Sequence, residues 1–391
     1  MVNVLLLHES EQATLMGIYL GWKKSEAKYG KMRVEKQFST KVTREEIAWA
    51  DVIICVRGES PMTEAILRYA REQGKFLIFF LDDDLKDIPK GAFRFPGRKK
   101  WLLRCISQCH MLQTPNQLIA EEYAEFVEGG RTAVAHTAVT EEEISTTPAE
   151  PGVVKLVYAA SRGHIPNFNA FINPILPRLF ARYGKGIELH LIGLDPKVDV
   201  GEFNSQIHYV SGMSLEAYNE FMKVHHYDVG LSPLVTNHFT ERKYFNKYIE
   251  YSKVGICGVY SRVMPYKLAV KDGWNGFYAD NDPESWYETL CRVIEDADAR
   301  ARVIRTAQEH LRAEHGEEQL HRKMMGTIPE LEADYSNSNR DCPGAWPGYI
   351  AVYRLRHNLF RLVESIYLSV TSLKRFGLSS TIARIKSKLR K

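Results

Sequence analysis

Short apolar runs alternate with helix-patterned polar segments along most of the chain. Residues 2–7 (VNVLLL) read as a buried strand and residues 13–28 as a helix. Strand–helix pairs follow at 32–38 and 43–49, 51–56 and 61–73, 75–81 and 98–108, and 109–113 and 115–127, with a last strand at 132–136. Regular alternation predicts a parallel sheet with helices on both faces. Residues 140–152, TEEEISTTPAEPG, are poor in apolar side chains and form a linker. A second series then begins, with strand 153–160, helix 167–183, strands 187–193 and 206–210, helix 214–224, a strand at 228–232, helix 241–253, an apolar run at 254–260, and helices 283–297 and 299–314. The pattern predicts an α/β chain of two doubly wound, Rossmann-like domains, 1–139 and 153–334, facing a cleft, followed by a linker and helical tail over 335–391.

Composition narrows the function classes. At 391 residues, 26% charged and 45% hydrophobic, the chain is neither fibrous nor disordered, and both domains are large enough to bury a core. A net charge of +4 without a zinc-finger or RNA-binding aromatic signature gives no reason to expect nucleic acid. The six cysteines are scattered; Cys55 and Cys257 fall in apolar runs, as reduced thiols in a cytoplasmic protein do. Cys105, Cys109 and His110 lack a second ligand cluster, so no metal site is expected. No signal segment is read at the start, and no run approaches the ~20 apolar residues of a spanning helix. The first strand–helix loop lacks Gly-x-Gly-x-x-Gly, which argues against NAD or FAD, and no cofactor is expected.

In doubly wound sheets, ligands bind at the carboxyl ends of the strands, and the loops there carry the candidate chemistry. In the first half these are Arg57-Gly-Glu-Ser, the acidic run Asp82, Asp83 and Asp84, and His136. The three aspartates and Arg57 are read as acceptor-facing, with a surface salt bridge as the plain alternative for Arg57 and helix capping or a divalent ion as alternatives for the aspartates. His136 and His110 are candidate bases, although an isolated histidine is more often structural. In the second half Ser161-Arg162-Gly163-His164 joins a strand to a helix, where backbone N–H groups attract an anion and Arg162 adds a planar donor. On helix 241–253, Lys243, Lys247 and Glu250 stand at i, i+4 and i+7 and share one face. An intrahelical Lys–Glu pair is the plain reading of that spacing.

The order Phe239-x3-Lys243-x3-Lys247-x2-Glu250-Tyr251, then Gly255, Val259-Tyr-Ser261, Pro265-Tyr266 and Gly273-x2-Gly276, resembles the nucleotide-sugar half of GT-B glycosyltransferases, in particular family 4 enzymes of cell-surface polysaccharides. The resemblance extends over about residues 150–315. It implies that Glu250, beside Tyr251, accepts hydrogen bonds from the donor ribose and that Lys243 and Lys247 face the diphosphate. Arg162, Gly163 and His164 would complete the phosphate side, and Tyr209 to Gly212 would lie under the nucleotide base. The chain departs from the family's paired glutamates, because Arg242 stands eight residues before Glu250 and Glu241 is one place off.

The implied reaction is transfer of a sugar from a nucleotide-sugar co-substrate to a hydroxyl of a glycan or lipid-linked glycan, retaining and metal-independent. The competing readings are a non-catalytic scaffold of the same fold and a nucleotide-sugar epimerase. From residue 353 the tail sets Arg354, Arg356, Arg361, Lys374, Arg375, Arg384, Lys386, Lys388, Arg390 and Lys391 against a single Glu364, with Leu, Ile, Phe and Tyr between them. Such a segment either lies on an anionic membrane, on the inner face of the cytoplasmic membrane, or packs back on the first domain.

Overall fold

The computed structural model describes residues 1–11, 13–88, 94–145, 152–335 and 346–389. The chain divides into two compact units, residues 1–136 with 321–391 and residues 137–320. Each is built on a six-stranded, all-parallel sheet.

The first unit uses β1 (Val2–His8), β2 (Met32–Phe38), β3 (Val52–Val56), β4 (Phe76–Phe80), β5 (Met111–Thr114) and β6 (Thr132–Val134), ordered β2-β1-β3-β4-β5-β6. All five residues of β3 are buried, as expected of a central strand covered on both faces. The chain order turns back beside β1, so the crevice of this sheet lies at the carboxyl ends of β1 and β3.

The second unit uses β7 (Val154–Ala159), β8 (Ile187–Ile192), β9 (Ile207–Val210), β10 (Val229–Ser232), β11 (Cys257–Ser261) and β12 (Phe277–Ala279), ordered β12-β11-β10-β7-β8-β9. The turning point here falls between β7 and β10. Its core is aromatic on one side, with Tyr248, Tyr251, Tyr260 and Tyr266 buried together.

Three expectations change. The helix placed over 167–183 is two helices, Ile165–Phe171 and Leu176–Tyr183, because Pro174 and Pro177 each remove a backbone donor and force a tight turn between them. The helix placed over 241–253 is also divided, into His238–Glu241 and Asn246–Lys253. Asn237 caps the first piece through Thr240, and the chain then bends so that Tyr244 and Phe245 both enter the core. Finally, residues 321–334 group with the first unit rather than with the second.

The tail is one helix, Trp346–Leu389, packed in the first unit against the helix Pro61–Glu72. Of the two linkers, 146–151 and 336–345 lie outside the described residues, while Glu141–Glu143 form a 3-10 turn. Arg390 and Lys391 also lie outside the described residues.

Candidate functional site

In the second unit, glycines stand just past β8 and β9. Gly193, just past β8, has φ 78°, and a Cβ there would stand 2.7 Å from the Ala160 carbonyl oxygen and 3.9 Å from the Gly212 Cα. Its N–H donates to Val210 O (2.9 Å), and Ala160 N–H donates to Ile192 O (3.0 Å). Only glycine fits such a close approach at that φ. Gly193 is a candidate site residue that the sequence reading missed; the signal was a glycine directly after a strand, at the carboxyl end where ligands bind. Tyr209 is half-exposed, and its hydroxyl donates to Pro196 O (3.0 Å).

Beside this surface, the loop after β7 contains a 3-10 turn, Arg162–His164, leading into the helix Ile165–Phe171. Gly163 is within that turn, and a Cβ there would meet only the Ser161 hydroxyl, at 3.8 Å. Arg162 is exposed and pairs with Asp195 (2.8 Å). Asn167 joins two loops at the turning point. Its amide nitrogen lies 3.2 Å from His164 Nδ1, while its carbonyl accepts from Val235 N (3.3 Å) in the loop after β10. That loop is fixed further by Leu234 N–H donating to Ser261 Oγ (2.9 Å) and by Asn281 Nδ2 donating to Leu234 O (3.1 Å). Asn167 was not singled out in sequence because a lone asparagine near a helix start has a capping explanation.

The helix Asn246–Lys253 rests on β10. Tyr251 is fully buried, its ring directly over Gly230 and its hydroxyl donating to Leu231 O (2.8 Å). It supports the helix and turns away from solvent. On the open side, Lys247 and Glu250 are ion-paired one turn apart, and the Tyr218 hydroxyl donates to the same Glu250 oxygen (3.1 Å). Lys247 also lies over the Tyr218 ring, 5.3 Å from its centroid. Burial and the Glu250 carboxylate push the Tyr218 hydroxyl well above the usual phenol range, so it stays protonated and donates. Glu250 and Tyr218 line a pocket with Glu143, Asn219, Lys223 and Lys253. Lys243 does not share this face. It stands in the bend between the two helices, over the Phe239 ring at 4.8 Å, because burial of Tyr244 and Phe245 interrupts the helix there.

In the first unit the crevice holds a connected ion network. Glu9, just past β1, accepts from Glu59 N (2.8 Å) and from the Thr63 hydroxyl (2.7 Å). Glu59 pairs with Arg94 and with Arg98 (2.5 Å), and Arg98 also pairs with Glu364 of the tail helix. Arg94 is pushed down to about 10, first by burial and then by the neighbouring Arg98 and Arg57 charges. Arg57 has φ 52°, a backbone conformation that L side chains rarely adopt, and its guanidinium lies 3.4 Å from Asp82 and 3.5 Å from Asp83. Asp84 departs from the acceptor-facing reading. It is fully buried and accepts from Tyr123 (2.5 Å), Lys86 N (3.2 Å) and Asp87 N (3.3 Å), so it ties down its own turn, and no helix begins there for it to cap. His136 follows β6, three strands from β3, about 14 Å at the usual strand spacing, and the sheet does not bring it to the crevice. His110 precedes β5, at the opposite end from the carboxyl termini, and its Nδ1 accepts from Leu77 N (3.0 Å). Cys105 and Cys109 are buried, and the Cys109 thiol donates to Cys105 O (3.4 Å).

No family model and no curated protein matches the sequence. Solved structures do. Anabaena HepE in complex with UDP and glucose superposes with a TM-score of 0.61 at 11% identity, covering 84% of this chain and 100% of that one. Sucrose-phosphate synthase from Thermosynechococcus elongatus gives 0.57 at 11% identity over 85% and 99%, and a UDP-forming trehalose-phosphate synthase from Burkholderia xenovorans gives 0.54 at 12% over 85% and 100%. The chain has the GT-B fold. Within it, each of the two sheets supplies its own crevice, the second with bare glycines and the Lys247–Glu250 pair, the first with the arginine–carboxylate network.

Proposed function

We propose that this GT-B chain moves a sugar from a nucleotide-diphosphate donor to a hydroxyl of a glycan or lipid-linked glycan in cell-surface polysaccharide synthesis. We read the transfer as retaining and metal-independent. The observation that carries this reading is the Lys247–Glu250 pair on the helix after β10, in the same unit that has glycines just past β8 and β9. HepE, of like fold, was crystallised with UDP and with UDP-glucose, which supports a nucleotide sugar as the ligand of the second unit.

The residues have distinct tasks in this reading. Gly193 and Gly212 leave peptide groups open to a flat base, with Tyr209 at the margin. Glu250, oriented by Tyr218, holds the ribose hydroxyls, and Tyr251 supports it from beneath. Lys247 exchanges Glu250 for the diphosphate, and Arg162, Gly163, His164 and Lys243 complete the anion site. Negative charge grows on the departing diphosphate as the anomeric bond breaks, so positioned cations stabilise the transition state more than the ground state. Arg57, Asp82 and Asp83 face the acceptor. His136, after the edge strand β6, stands outside this acceptor group.

The tail supports work at a membrane surface. Among the described residues no helix is long and apolar enough to cross a bilayer. On the Trp346–Leu389 helix, Tyr353, His357, Phe360 and Glu364 turn inward, while Val352, Leu355, Leu359, Leu362, Ile366 and Leu373 form an exposed apolar stripe. Glu364, the helix's single acid in the sequence, is buried, and among the described residues its exposed charged side chains, Arg354, Arg356, Arg361 and Lys374, are all basic, which suits an anionic inner leaflet.

Thermal denaturation with UDP, GDP, CDP, ADP or dTDP, without metal and then with magnesium or manganese, tests the reading. Stabilisation by one diphosphate without metal, lost in Glu250→Ala, is the expected result. Absence of any shift removes the donor site. Donor binding without turnover on any acceptor favours a non-catalytic scaffold, and interconversion of the donor sugar without an acceptor favours an epimerase.

A further inference from the structure

A second polar cluster lies on the second unit, away from the carboxyl ends of its strands. Glu188 and His190 alternate on β8 and therefore project from the same face, and His208 stands directly opposite His190 on β9. The two imidazole rings are 4.5 Å apart between centroids. Glu188 Oε2 lies 3.3 Å from His190 Nε2 and 3.8 Å from His208 Nε2, and one ligand atom of each residue falls within 4.8 Å of the others. His208 Nε2 is buried and has no hydrogen-bond partner. A buried imidazole nitrogen aimed at a carboxylate and a second imidazole, with no bond of its own, is an arrangement that a bound cation completes.

The geometry points to a transition-metal site of the zinc class, formed by Glu188, His190 and His208 and independent of the donor-site reading. Tetrahedral zinc with Zn–N and Zn–O near 2.0–2.1 Å places its ligand atoms about 3.4 Å apart. The Glu188–His190 edge already has that length, and the Glu188–His208 edge needs a ring adjustment of about half an ångström. Imidazole and carboxylate ligands suit zinc, nickel or copper rather than calcium or magnesium. The Tyr227 ring packs edge-on against His190 at 5.0 Å and limits its rotation. Lys155 stands across from Glu188 on β7 and is the opposing charge; its flexible stem allows the ammonium to move toward water. Because β9 is the edge strand, an ion can enter from the side of the sheet and leave a fourth position for water. Bound there, it would tie the edge strand to β8, three residues before Gly193.

The test uses the untagged full chain, stripped with a chelator and dialysed. Zinc titration by calorimetry is expected to show one equivalent per chain and a rise in melting temperature, and cobalt is expected to give the visible absorption of a tetrahedral site. His190→Ala and His208→Ala are each expected to abolish both, with far-ultraviolet circular dichroism confirming that they are folded. Should either variant fail to fold, Glu188→Gln, at a partly exposed position, is expected to weaken zinc binding at least tenfold. Absence of zinc uptake by the wild-type chain overturns the proposal, as does uptake by the folded variants equal to wild type.

Discussion

Glu364→Ala tests how the tail helix is held in the first unit. Glu364 is 5% exposed and accepts from Arg98 Nε, from Arg98 Nη2 (2.8 Å) and from Arg361 Nη1 (2.9 Å). Removing one partner of a buried ion pair costs about 3–5 kcal/mol, because the remaining charge stays desolvated. Arg98 retains Glu59 at 2.5 Å, so the lower end applies, about 3 kcal/mol. A two-unit chain need not unfold in one step, so a single melting temperature is the wrong readout. Hydrogen exchange followed by mass spectrometry resolves the local opening of peptides within 350–372 and 97–107. At 1.36 kcal/mol per tenfold, protection there should fall by roughly two orders of magnitude while peptides of the second unit are unchanged. The double variant Arg98→Leu with Glu364→Leu should recover most of the loss, since an apolar pair avoids the desolvation penalty and Glu59 keeps Arg94. Unchanged protection in Glu364→Ala, or a double variant as damaged as the sum of both single leucine variants, would refute this account.

Other expectations can be checked more briefly. Gly193→Ala meets the Ala160 carbonyl at a φ that favours glycine and should lose about 1–3 kcal/mol of stability in the second unit, together with nucleotide binding measured by calorimetry. Asn167→Ala should loosen the loops after β7 and β10 together, seen as faster hydrogen exchange in both 161–166 and 233–237. Tyr218→Phe removes the hydroxyl from Glu250 and should weaken binding of the stabilising diphosphate by about tenfold, the scale of one hydrogen bond to a charged group. For His110, burial first and Arg71 next hold the folded pKa below 6.5, against a smaller opposing pull from Glu330. Its contribution is therefore present above about 6.5 and lost as pH falls through the lower folded value, where the unfolded chain binds the extra proton. Urea midpoints for the first unit should drop between pH 7.5 and 5.5, and His110→Asn should flatten that slope.

The alternation of apolar and helical segments was enough to read two parallel α/β sheets, because a strand buried on both faces must be apolar along its length. The run 52–56 is an instance, buried at all five positions. Lys247 and Glu250 were legible as neighbours for an equally local reason, one helical turn. What failed was also local in appearance and tertiary in cause. The spacing of Lys243 promised the same helix face, but Tyr244 and Phe245 are buried in succession, and the gain from burying two aromatic rings outweighs a continued helix. Asp84 looked like its two neighbours in sequence, yet it is fully buried and meets a buried tyrosine hydroxyl from another segment.

Contacts between distant segments were invisible before folding. Arg98 and Glu364 are 266 residues apart, Asn167 and Val235 are 68 apart, and His190 meets His208 only through strand register. The sequence by itself determined the alternation of strands and helices, since their periods are set by backbone geometry, but not where the 241–253 helix breaks. Only the tertiary structure decided which loops share a crevice, which charges neutralise one another, and that the tail belongs to the first unit. Those outcomes depend on strand order and on the desolvation of groups that no local spacing relates.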